Sequence, residues 1–187
     1  MMTAARQQAS ARYDANERPT GTMIAFEPIS ADPGLLRRAF GCFPSGVTAV
    51  CALVDGEPVG MAASSFTSVS VAPPLVSVCF QESSATWPRL RDLPRLGISV
   101  LAEGHDDICL SLSRKCDDRF ADIAWDRAPH GGVFVHGATA WLECSLYSEV
   151  PAGDHTVALL EIHGLRADPE AAPLVFHGSR FRRLAAI

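Results

Sequence analysis

The chain has 187 residues, 48% of them hydrophobic and 20% charged, with a formal net charge of −5. That length suits a single domain with a sizeable core. The acidic balance argues against non-specific nucleic-acid binding, which needs a basic face, and no apolar run reaches the roughly 20 residues of a membrane helix.

Residues 1–25 are polar and rich in Ala and Arg. They carry no apolar signal core and are expected to form a flexible arm, with one domain over residues 26–187. Asp32-Pro33-Gly34 before "LLRRAFGCF" predicts a short helix, with Asp32 as its cap and Pro33 as its first residue. "SGVTAVCALVDGEPVG" predicts a hairpin turning at Asp55-Gly56. "PLVSVCF" and "GISVL" read as strands, with a proline-punctuated short helix in "SATWPRLRDLPRLG" between them. "HDDICLSLSRKCDDRFADIAW" holds a predicted helical stretch with Ile108, Leu110 and Leu112, acids early and Arg114-Lys115 late, matching the helix dipole. Asp117-Asp118 reads as a solvated pair. "ATAWLECSLYSEV", "HTVALLEIHGLRA" and "APLVFHG" are further strands. The strands follow one another through short turns and do not alternate with helices. This predicts a mainly β fold with flanking helices, an antiparallel barrel.

The six cysteines lie mostly inside apolar runs and include no CxxC. They are expected to be free thiols in a reducing cytoplasm. Nucleotide-binding GxGxxG and GxxxxGK[ST] motifs, the GxSxG elbow and HExxH are missing from the sequence. The histidine spacings match no recognised ligand pattern, so no metal site is expected.

The stretch "GMAASSFTSVSVAPP" places Ser64, Ser65, Thr67, Ser68 and Ser70 among small apolar residues. Two readings stand side by side. One is a polar edge strand with Ser/Thr turns. The other is an anion or cofactor cradle, in which small side chains admit a ligand close to the backbone and hydroxyls satisfy phosphate oxygens. "SRKCDDRF" offers Lys115 and Arg119 as the complementary charge.

Four blocks in order, "FPSGVTAV", "GMAASSFTSVSVAPPLVSVCF", "SRKCDDRFA" and "GDHTVALLEI", make the chain resemble the flavin reductase family over about Leu35 to Leu184. Its members are the small reductase components of two-component flavin-dependent monooxygenases. The resemblance implies a Greek-key, FMN-binding split barrel. It also implies a homodimer with the flavin near its interface. The implied reaction is hydride transfer from NADH or NADPH to N5 of free FMN or FAD. The reduced flavin is then supplied to a separate monooxygenase of aromatic or natural-product metabolism. By the same resemblance, Gly60, Met61, Ala62 and Ala63 line the flavin ring and Ser64 and Ser65 reach its phosphate. Cys79, Phe80 and Gln81 lie along the ring edge. Ser84, Thr86 and Lys115 complete the phosphate site, and Pro44, Ser45, Gly46, Val47 and Thr48 form the turn beside the ribityl chain. His155 faces the nicotinamide.

Read from the residues alone, His155 is equally a structural histidine opening a strand, and Lys115 a solvated lysine at a helix end. Trp87 and Trp125 read as packing residues. Hydride transfer needs stacked rings held at about 3–3.5 Å more than acid–base machinery, so the lack of a triad is expected. The alternative is a split-barrel flavoprotein that keeps its FMN and acts on another small molecule.

Overall fold

The structure, a computed structural model, describes residues 21, 23–26, 28–29, 33–116 and 118–185. Most of the expected N-terminal arm, the expected cap Asp32 and the acidic Asp117 lie outside the described residues. Pro33 opens the first helix as expected, α1 (Pro33–Phe40). It leads to β1 (Ser45–Gly46), β2 (Thr48–Val54) and β3 (Glu57–Ala63). Asp55 and Gly56 join β2 to β3 with φ of 53° and 89°, the left-handed pair that a two-residue I′ hairpin requires. Next come β4 (Thr67–Val71) and β5 (Pro74–Gln81), linked across a cis Ala72–Pro73 peptide.

Helix α2 (Trp87–Leu90), β6 (Leu96–Val100) and α3 (Asp106–Ser113) follow. Helix α3 has the expected acids in its first turn, but it stops at Ser113. Arg114, at ψ 152°, turns the chain outward, so Lys115 belongs to the following loop and not to a helix end. The chain then forms a short hairpin, β7 (Trp125–Arg127) with β8 (Val133–Val135). A long pair comes next, β9 (Ala140–Ala152) and β10 (His155–Ala167), and the chain closes with β11 (Val175–His177) and β12 (Arg180–Arg182). Among the described residues no helix is long and apolar enough to cross a membrane.

Seven strands form one antiparallel sheet in the order β3-β2-β6-β9-β10-β5-β4. A smaller sheet β1-β11-β12 and the β7-β8 pair flank it. Strand β2 explains why "AVCALV" is apolar without a break: its two faces serve two cores. Val50 and Ala52 pack with Val76, Val78, Phe80, Ile98 and Leu160 inside the curved sheet. Ala49 and Cys51 pack on the other side with Leu101, Leu112, Val133 and Leu174, under α3 and the β7–β8 hairpin. Burial pushes the thiols of Cys51 and Cys144 up to about 12, so both are protonated core filler. All six cysteines are free.

Candidate flavin site

The end of β3, the loop after it and the outer side of β5 line a cavity of ≈ 730 Å³. One wall is Met61, Ala62, Ala63, Ser64 and Ser65, with Cys79 and Gln81 of β5 beside it. The lip is Ser83–Thr86, which leads into α2. The opposite wall is Leu112 and Ser113 at the end of α3, with Lys115 and Arg119 in the loop beyond, and His155 opens β10 at the rim.

Local bonding explains this shape. Ser65 Oγ donates to the Cys79 carbonyl at 3.1 Å and accepts from the Cys79 N–H at 2.9 Å, tying the loop to β5. Its hydroxyl is thereby engaged with backbone, while Ser64 next to it is exposed. The Ser84 hydroxyl accepts from the N–H groups of Thr86 and Trp87 at 3.3 and 3.1 Å, capping α2. Thr48 Oγ1 donates to the Ala63 carbonyl at 3.1 Å, which fixes the end of β3 against β2.

Arg119 Nη1 donates to the Gly60 carbonyl and Thr86 Oγ1, both at 3.1 Å, and to the Leu112 carbonyl at 3.4 Å. One guanidinium therefore joins β3, the α2 lip and α3. Arg119 offers a charge in the sequence but, like Ser83 and Ser113, is not among the residues the family resemblance implies for the site. The signal was the second cation of "SRKCDDRF".

The hydroxyl-rich stretch divides between its two readings. Ser68 and Ser70 belong to β4, an edge strand that among the described residues pairs with β5 alone. Ser64 and Ser65 belong to the cavity wall.

Most of the expected residues meet in this cavity. Phe80 differs: it is 1% exposed and stacks on Trp87 at 3.9 Å inside the core. The alternation of β5 sends Val76, Val78 and Phe80 inward, while Cys79 and Gln81 reach the cavity. Gly60 lies just behind the wall, where a Cβ would come 2.4 Å from Cys51 Sγ. Ser45 and Gly46 form β1, bonded to β11 rather than to the main sheet. Val47 lines an adjoining hollow of ≈ 250 Å³ that shares Ala62, Ala63 and Ser64 with the main cavity. Phe176 and Phe181, ring centroids 5.6 Å apart, close that hollow.

His155 Nδ1 lies 2.7 Å from Asp154 Oδ1. The hydrogen bond and charge of His155 hold the Asp154 carboxyl below its usual range. An ionised carboxylate only accepts, so Nδ1 carries the proton of this contact. Nε2 is then the ring atom available to a ligand.

The small Ala62 and Ala63, the cations Lys115 and Arg119, and the serine and threonine hydroxyls around the cavity suit a flat ring bearing a phosphorylated tail. The volume falls within the range of roughly 300–1,000 Å³ typical of small-molecule sites. A family profile described as "Flavin reductase like domain" matches residues 40–185. The chain belongs to the flavin reductase-like family. A flavin reductase from Pseudomonas putida is 33% identical over 169 residues, 89% of this chain and 99% of that one. The reductase subunit HsaB of a flavin-dependent monooxygenase from Rhodococcus jostii is 35% identical, covering 84% of this chain and 80% of its own. Among solved structures, the NADH:FAD oxidoreductase SgcE6 of Streptomyces globisporus C-1027, in complex with NAD and FAD fragments, superposes with a TM-score of 0.79. It is 39% identical and covers 82% of this chain and 93% of its own. The split barrel expected of a flavin reductase is thus the fold observed.

Proposed function

We propose that the chain is an NADH:flavin oxidoreductase that reduces free FAD or FMN and supplies it to a separate monooxygenase in aromatic or natural-product metabolism. The observation that carries this reading is the ≈ 730 Å³ cavity, which gathers small residues, hydroxyls, two cations and one imidazole in a flavin reductase-like fold. The bound flavin supplies the ring atom that accepts hydride. The chain's own residues bind and orient. Ala62 and Ala63 let a planar ring approach the β3 backbone. Lys115 and Arg119, with Ser64, Ser83 and Ser113, hold the phosphate end. His155, steadied by Asp154, positions the nicotinamide at the rim through Nε2. No side chain of the site has to move a proton for the hydride to pass. The grip on ring and first phosphate leaves an adenylate optional, so both FAD and FMN are accepted.

The working unit is a homodimer in the cytoplasm. Support comes from exposed apolar side chains on the sheet: Val69 and Val71 on the edge strand β4, and Tyr147 and Val150 on β9. Apolar edges of this kind are covered in native assemblies.

The test is steady-state NADH oxidation by dialysed protein with and without added FMN or FAD. Oxidation that depends on added flavin, from a protein that loses its flavin on dialysis, is expected. A protein that stays yellow and turns over without added flavin is instead a flavoprotein with a resident FMN, and this reading fails.

A further inference from the structure

Leu142, Cys144 and Leu146 of β9 pack into the barrel core, so strand alternation turns Trp141 and Glu143 to the opposite face. Glu143 is in register with Gly97 of β6 on one side and Gly164 of β10 on the other. The two glycines differ in what lies above them. A Cβ on Gly97 would sit 2.2 Å from the Val133 carbonyl oxygen, because β8 crosses there. A Cβ on Gly164 would meet nothing within 4 Å. The row Gly97-Glu143-Gly164 is therefore roofed over β6 and open over β10.

The open part is a bay of ≈ 610 Å³ walled by Phe134, His136, Trp141 and Arg166, and it shares no residue with the flavin cavity. Glu143 Oε1 is enclosed by protein and receives no hydrogen bond among the described residues. Neither basic side chain of the lining donates to this oxygen. His136 Nε2 pairs with Asp126 at 2.8 Å, and the Arg166 guanidinium lies over the Trp141 ring at 5.3 Å. A buried carboxylate oxygen without a donor is a costly arrangement unless something supplies one.

We propose that this bay is a second ligand site, separate from the flavin cavity, for a small organic cation. Its ligand is a protonated amine or amidinium on a flat apolar body. Glu143 supplies the counter-charge, Phe134 and Trp141 the apolar walls, and the bare backbone at Gly164 the room. An uncharged ligand of the same shape leaves the carboxylate unpaired, and an anionic one meets it with like charge.

Calorimetric titration of the full-length protein, saturated with FMN, tests this with tryptamine, its neutral isostere tryptophol and the acid indole-3-propionate. Benzamidine serves as a second cationic probe. Tryptamine is expected to bind once per chain, at least tenfold more tightly than tryptophol, with no binding of the acid. Glu143→Gln should remove that preference, and Gly164→Val should fill the bay and abolish binding, both with flavin reductase activity retained. If Gly164→Val does not fold, the isosteric Glu143→Gln decides alone. The proposal is overturned by any of four results: neither cation binds at millimolar concentration, tryptophol equals tryptamine, excess FMN displaces the probe, or Glu143→Gln keeps the preference. It is also overturned if either variant dissociates a native dimer in sedimentation, since a second copy then fills the bay.

Discussion

The two walls of the flavin cavity are held in place by different means. The β3–β5 wall is built into the sheet: Ser65 locks onto both backbone groups of Cys79, Thr48 onto Ala63, and Gly60 presses on Cys51. The facing wall hangs on a loop after α3. Arg119 anchors it with hydrogen bonds to neutral acceptors, and Lys115 is exposed. A planar ring demands a rigid, close-fitting surface, whereas a phosphate is satisfied by mobile charge. Substitutions on the first wall should therefore read out in stability, and on the second in flavin affinity.

The largest effect expected is Gly60→Ala. The new methyl would lie 2.4 Å from Cys51 Sγ and 3.0 Å from the Val50 carbonyl oxygen, and Cys51 is fully buried with no room to retreat. Overpacking of this kind costs about 3 kcal/mol, measurable as a lower denaturant midpoint. An unchanged midpoint would mean the wall yields, and the contrast between the walls would collapse. Next is Ser65→Ala. It leaves the Cys79 N–H and carbonyl without their side-chain partner, a loss of about 1–2 kcal/mol for partly buried groups. Stability and flavin binding should fall together.

Lys115→Ala tests the other wall. Removing one exposed charge from a phosphate contact should raise the flavin KM about tenfold, equivalent to ~1.4 kcal/mol. Stability should stay within about 0.5 kcal/mol, as for surface substitutions generally. The effect should shrink in high salt, because exposed charges are screened. A fall in thermal midpoint without a change in flavin KM would place Lys115 among merely structural residues.

The sheet wall was the more legible of the two in the sequence. Asp55-Gly56 announced its hairpin, while the burial of β2 on both faces emerges only from the two cores it joins. The same alternation that identifies β5 also assigns Phe80 to the core with Val76 and Val78. The resemblance implies Phe80 at the ring edge, whereas the two-residue period of β5 turns it into the core. The loop wall was less legible because nothing periodic constrains it. Arg119 and Lys115 lie in a segment without helix or strand, and only tertiary contacts to Gly60 and Thr86 choose between them. The strands β7, β8 and β12, three residues each, are too short to show alternation. They exist because Gly97 lets β8 cross β6 and because Phe181 pairs with Phe176.

The smallest effects belong to the rim, where the two walls meet at His155. His155→Ala should raise the NADH KM a few-fold with flavin affinity little changed; the reverse pattern would remove its nicotinamide role. The partner carboxylate gives a check that does not depend on turnover. His155 lowers the Asp154 carboxyl pKa in the folded chain, so the pair's contribution is present above the unfolded carboxyl value of about 3.9. It is lost as pH falls through the lower folded value. Carboxyl-detected NMR titration of Asp154 should therefore inflect below 3.9 in the native protein and return towards it in His155→Ala. At neutral pH the carboxylate is fully ionised and keeps the proton on Nδ1, leaving Nε2 to face the cavity. If Asp154 titrates identically in both proteins, the imidazole is not held by it, and the rim has no fixed donor or acceptor with which to orient a nicotinamide.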